Sequence, residues 1–174
     1  MAHASDKKIL VVDDEPDVRS FLAACIEDAG FRVNTAADGE EALEKLQADP
    51  PDLMTLDMVM PRKSGISLMR QLRGMERFTH LPVIVITAHA HDEFGSEDFK
   101  GFFAFTSGLR PRFTMEKPIT PKKLVDAISA ILGVGTDAPR DHEHFQIKKL
   151  VAEADPATLQ KIRDLLSSKR TAEQ

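Results

Sequence analysis

The chain predicts an α/β fold, a doubly wound five-stranded parallel sheet, on three observations. Short apolar runs alternate with helical patterns from Lys8 to Leu132. The runs are β-branched and nearly continuous, as strands buried on both faces are. Acidic residues, a threonine and a lysine stand where the runs end. Lys8–Val12 is the first strand. A helix follows with Val18, Phe21, Leu22, Cys25 and Ala29 on one face, closed by Gly30, a residue that accepts the left-handed conformation a helix end often needs. Phe31–Ala36 is the second strand, and Asp38–Gln47 a short helix with Ala42, Leu43 and Leu46 inward. Pro50-Pro51 breaks the chain before the third strand, Asp52–Asp57, and a third helix, Gly65–Arg73. Pro82–Thr87 (PVIVIT) is the most strand-like run. Arg112–Glu116 is a weaker fifth strand. Thr120-Pro121 then opens a helix to Leu132 with a cap and a proline at its first position.

Composition narrows the functional classes. The chain has 174 residues, enough for one well-buried core and an appendage. The net charge of −5 argues against a nucleic-acid partner, which favours a basic face. No apolar run approaches the roughly 20 residues that cross a bilayer, and Met1–Lys8 lacks the apolar stretch of a signal peptide, so a cytoplasmic location is expected. The single cysteine, Cys25, falls on the apolar helix face and reads as a buried small hydrophobe.

In doubly wound sheets the site lies beyond the carboxyl ends of the strands, near a switch in strand order. There the sequence places Asp13 and Asp14 after strand one, Asp57 after strand three, Thr87 after strand four and Lys117 after strand five. Each alone has an ordinary role: a solvated turn, a helix cap, a strand terminus, a surface lysine. Together they fall at one end of one sheet. Two carboxylates about 4 Å apart repel by about 4 kcal/mol at an effective dielectric near 20. Raised pKa values or a bound cation must compensate. With oxygen donors only, Mg²⁺ is the cation that fits. A divalent ion, a lysine and a hydroxyl around one carboxylate suit phosphoryl transfer to that carboxylate.

The text "ILVVDDEPDVR", "PDLMTLDMVMPRKSG", "LPVIVITA" and "EKPIT" resembles the response-regulator receiver domains of two-component signalling, from about Lys7 to Gly133. The proline four after Asp57, the glycine eight after it and Lys117-Pro118 match as well. The resemblance implies a flavodoxin-like receiver fold and a cis Lys117-Pro118 peptide that aims the lysine. It implies that Asp57 accepts phosphate and that Mg²⁺ is held by Asp13, Asp14, Asp57 and the Val59 backbone carbonyl. Thr87 then contacts the phosphoryl group and Lys117 pairs with it. The implied partners are a sensor histidine kinase or phosphotransfer protein and a downstream protein target, with homodimerisation as a further mode. Neither nucleic acid nor membrane insertion is expected.

The sequence departs from the family in three places. The interval from Thr87 to Lys117 is longer than usual, and six of the ten Phe residues lie between Phe94 and Phe113, which predicts a short or distorted fourth helix with an added loop, either a partner surface or core filling. The family's aromatic three before the lysine is Thr114 here. Phe113, one residue earlier, points to the other face of a regular strand and replaces that ring only if the strand bulges or shifts register. Beyond the receiver, 7–133, a linker is expected over 134–141 and a helical hairpin over 142–170. Its stripes are Ile147, Leu150, Val151 and Ala154, then Leu159, Ile162, Leu165 and Leu166. With seven basic and seven acidic residues from Val134 onward, this tail suits packing on the receiver or self-association better than DNA binding. Two other readings compete. An aspartyl-phosphate-forming hydrolase normally carries a second Asp two after the nucleophile, where this chain has Val59. A phosphate-independent interaction module would not need the complete Asp13, Asp14, Asp57, Thr87 and Lys117 set.

Overall fold

A computed structural model of the chain describes residues 3–60, 64–87 and 112–135. Five strands form one parallel sheet: β1 (Lys8–Val12), β2 (Arg32–Ala36), β3 (Leu53–Asp57), β4 (Val83–Thr87) and β5 (Phe113–Glu116), in the order β2-β1-β3-β4-β5. Among the described residues four α-helices accompany them: α1 (Pro16–Asp28), α2 (Gly39–Ala48), α3 (Gly65–Arg73) and α4 (Pro121–Leu132). The chain leaves β1 to one side for β2 and returns to the other side for β3. The order therefore switches between β1 and β3, and a crevice opens beyond their carboxyl ends.

The alternation of side chains along the strands divides the core in two. On one face Ile9, Val11, Ile84 and Ile86 meet Phe21, Leu22 and Ile26 of α1 and Leu124 and Ile128 of α4. On the other, Leu10, Val12, Met54 and Leu56 meet Leu46 of α2 and Leu68, Met69 and Leu72 of α3. Cys25 is buried, as its place on the apolar face predicts. β3 and β4 are buried at every residue, while β2 and β5 are edges with exposed positions.

Local chemistry sets the boundaries. Asp38 accepts from the Glu40 and Glu41 amides, Ser64 from Ser67, and Thr120 from Lys123, so α2, α3 and α4 each begin on a side-chain cap. Gly30 (φ 92°) closes α1. Its amide donates to the Glu27 carbonyl and the Phe31 amide to the Ile26 carbonyl, the paired bonds of a Schellman ending. Phe31, expected in β2, is thereby committed to the end of α1, and its buried ring joins the core beneath. At the opposite pole from the crevice, Ala4 and Val134 are buried in the α1/α4 core, and His3 bridges Gly135 in parallel. The expected hairpin at 142–170 and the fourth-helix region of the family lie outside the described residues, as do Phe94 and the phenylalanines that follow it up to Phe105.

Candidate functional site

The strand-end residues meet in the crevice. Asp13, Asp14 and Asp57 each bring a carboxylate oxygen to within 4.8 Å of the other two. Asp57 ends β3, paired in register with Ile86, so Thr87 stands one residue further along the neighbouring strand and is fully buried. Lys117 follows β5 at a cis Lys117-Pro118 peptide, and its amide donates to the Thr87 carbonyl at 2.8 Å. Its ammonium lies 3.1 Å from Asp57 Oδ2, 3.2 Å from Asp13 Oδ2 and 3.6 Å from Glu15 Oε1.

Each carboxylate is held differently. Asp57 Oδ1 accepts from the Val59 amide at 3.0 Å, which curls the β3–α3 loop over the strand end, and Oδ2 accepts from Lys117. Asp13 is 1 % exposed. Its amide donates to the Ala36 carbonyl, its Oδ1 accepts from the Glu15 amide at 2.9 Å, and its carbonyl accepts from Arg19 Nη1 at 2.7 Å. Burial, with Asp57 adding to it, outweighs Lys117 and pushes the Asp13 carboxyl up to about 6. Burial also raises the Asp57 carboxyl against the pull of Lys117. For Lys117, burial works against the charged form, but Asp13 and Asp57 outweigh it and its pKa rises. The crevice thus carries more negative charge than one lysine neutralises.

The donor set fits a hard divalent cation. Asp13 Oδ2 is buried and, although Lys117 is near, takes no hydrogen bond. The three clustered oxygens are all carboxylate oxygens, the donors Mg²⁺ prefers. Val59 lies on the loop beside Asp57 with its side chain exposed, and residues 61–63 are outside the described residues.

Asp13, Asp14, Asp57, Thr87 and Lys117 are brought together as their strand-end positions predict. Sequence reasoning missed Glu15 and Arg19. The signal for Arg19 was present: a cation in the first turn of α1 opposes the helix dipole and needs a local reason to be there. The Thr114 position is also resolved. The β4–β5 register runs unbroken from Ile84↔Phe113 to Thr87↔Glu116, with no bulge or shift. Phe113 therefore stays on the face of Met115 and does not take the place of Thr114.

Comparison with known proteins agrees with this geometry. The sequence profile of the response regulator receiver domain matches residues 9–129. The alkaline phosphatase synthesis transcriptional regulatory protein PhoP of Bacillus subtilis is 36 % identical over 127 residues, 73 % of this chain and 49 % of PhoP. The chain thus spans about half the length of that relative. Among solved structures, chemotaxis response regulator CheY4 of Vibrio cholerae superposes with a TM-score of 0.62 at 28 % identity, over 72 % of this chain and 98 % of CheY4. Response regulator TrrA of Thermotoga maritima, solved in complex with Mg²⁺-BeF, gives 0.59 at 28 % identity, over 72 % of this chain and 99 % of TrrA.

Proposed function

The chain belongs to the response regulator receiver family of two-component signalling, and on that premise we propose that it is a phosphoacceptor switch modified on Asp57. Receiver domains pair with histidine kinases, so the donor is a sensor histidine kinase or a phosphotransfer protein carrying phosphohistidine. The output is protein–protein interaction. The observation that carries this reading is the setting of Asp57, whose two oxygens are divided between a backbone amide and Lys117 while the acidic pair faces them.

In the transfer, a carboxylate oxygen of Asp57 attacks phosphorus, a P–O bond forms, and the P–N bond to the donor histidine breaks with the electron pair leaving on nitrogen. Lys117, already 3.1 Å from Asp57 Oδ2, pairs with the arriving phosphoryl oxygens. Thr87, tied to Lys117 through its own carbonyl, supplies a hydroxyl on the neighbouring strand. Asp13, Asp14 and Asp57, with the Val59 carbonyl, would hold Mg²⁺, which would neutralise charge on the transferring group. TrrA, whose structure holds Mg²⁺-BeF, supports that assignment by likeness. Receiver domains are generally not enzymes. Here the hydrolase reading also lacks a proton donor or acceptor at Val59.

Intact mass after incubation with Mg²⁺ and acetyl phosphate tests the reading. One added phosphate is expected, lost on Asp57→Asn and on chelation. Undiminished labelling of Asp57→Asn sinks it, and steady release of inorganic phosphate from phosphomonoesters favours the hydrolase.

A further inference from the structure

Arg19 makes a contact that the reading above does not use. It is the fourth residue of α1, where a cation opposes the helix dipole, with Glu15 and Asp17 close in sequence. Its Nη1 nevertheless donates to a neutral group, the backbone carbonyl of Asp13, at 2.7 Å. That oxygen belongs to the peptide joining the two acidic residues. The same residue is held at its amide by the Ala36 carbonyl and at its carboxylate by the Glu15 amide. Asp14 has no such support: among the described residues its half-buried carboxylate has no hydrogen-bond partner, yet one of its oxygens lies within 4.8 Å of Asp13 and Asp57. The direction of the Asp14 side chain is therefore set by the orientation of the 13–14 peptide, and the group gripping that peptide on its oxygen is Arg19.

We propose that Arg19 is a positioning residue for the metal site, fixing the Asp13–Asp14 peptide so that both carboxylates face one cation. The proposal rests on the reading of the site as an Mg²⁺ centre. On the α2 side an acidic residue lies within electrostatic reach of the guanidinium. Glu41, whose carboxylate accepts from Lys45 and from the Ala37 amide, is held below its ordinary pKa by those two bonds and, further off, by the Arg19 charge. Arg19 thus stands between the acidic pair and the start of α2. An arginine suits the task because its planar fork keeps a fixed direction toward an acceptor, which the flexible ammonium of lysine does not.

Positioning and plain electrostatics predict opposite signs. Arg19 is a cation close to a cation site, so by Coulomb's law alone its removal tightens Mg²⁺ binding. If it orients the ligands, its removal loosens binding even though a repulsive charge has gone. The experiment is an Mg²⁺ titration of the full chain followed by amide NMR shifts of residues 11–19, which suits weak affinities. It is run on the parent, Arg19→Met and Arg19→Lys, with melting temperatures recorded in chelator. Arg19→Met is expected to bind Mg²⁺ about tenfold more weakly, as loss of a group supporting metal ligands does. Arg19→Lys falls between it and the parent, with little change in melting temperature in chelator. Equal or tighter binding by Arg19→Met overturns the proposal, and so does a loss confined to melting temperature. If Arg19→Met does not fold, Arg19→Lys carries the test by the same criterion. Asp57 labelling of the parent separates the two levels. Labelling of the parent together with unweakened Mg²⁺ binding by the variants removes the role of Arg19 and leaves the receiver reading standing. A parent that neither binds Mg²⁺ nor is labelled removes both.

Discussion

At Gly65 there is no room for a methyl group. A Cβ there would sit 2.6 Å from the Asp57 carbonyl oxygen and 2.8 Å from Met58 Cα, both backbone atoms that a rotamer change cannot move. The Gly65 amide donates to the Met58 carbonyl, so the close approach is what folds the β3–α3 loop back on the end of the strand. Gly65→Ala is expected to cost about 1–3 kcal/mol, as overpacking does, and to slow labelling of Asp57, because the strained contact is with Asp57 itself. Urea denaturation and mass-detected labelling read the two effects. At Val59 the prediction concerns decay. Its side chain is 59 % exposed beside Asp57 and offers nothing to hold the water that hydrolysis of a phosphorylated Asp57 needs in line with the phosphorus. Val59→Asn is expected to lose phosphate faster than the parent once donor is removed, and an unchanged decay rate contradicts this. His89, two after Thr87, lies outside the described residues. The acidic residues, the threonine and the lysine were legible because a parallel sheet fixes where its strands end. For Arg19 only the misplaced charge was legible, not the carbonyl it grips, and Glu15 was not legible at all, because which way its side chain turns depends on Lys117, far away in sequence.

Among the elements, α3 and α4 occupy the ranges that sequence predicts, since an apolar stripe, and for α4 a Thr-Pro start, leave little freedom in where a helix runs. β2 begins one residue late because Gly30 gives the Phe31 amide to the helix before it, a competition between two backbone acceptors that periodicity cannot weigh. β5 carries the functional consequence. It is an edge strand with one deeply buried side chain, Met115, while Phe113 is half-exposed, and its unbroken register keeps the Phe113 ring away from the Thr114 position. Phe113→Ala is therefore expected to leave the rate of Asp57 labelling unchanged. Met115→Ala, which hollows the α1/α4 core, costs about 2–5 kcal/mol. Parallel labelling and denaturation of the two variants check this. A strong labelling defect in Phe113→Ala would mean that the ring reaches the site after all.

For the whole molecule, a buried sheet has to tolerate a crevice of like charges. β1, β3 and β4 pack apolar side chains on both faces, and the carboxylates stand where β1 and β3 end. The tension has a pH signature. The Asp13 carboxyl is raised from the ordinary 3.8 to about 6, burial being the first cause, and Asp57 is raised for the same reason. Between those values the folded chain keeps a proton that the unfolded chain has released. The Asp13 contribution to stability is therefore present in acid and is lost as pH rises from about 4 to about 6. Lys117, also raised, stays charged in both states throughout that window and adds no slope. Other carboxylates tilt the absolute curve, so the telling quantity is the difference between the parent and Asp13→Asn. In chelator, the variant should gain on the parent by about 1–3 kcal/mol between pH 4.5 and pH 7.5, read from urea midpoints. Mg²⁺ at pH 7.5 should then narrow the gap, because a ligand that binds only the folded chain stabilises it and the variant has lost one of the carboxylates that hold it. A gap that stays constant across this pH range, or that Mg²⁺ widens, would show that Asp13 is ionised in the folded chain without needing a cation.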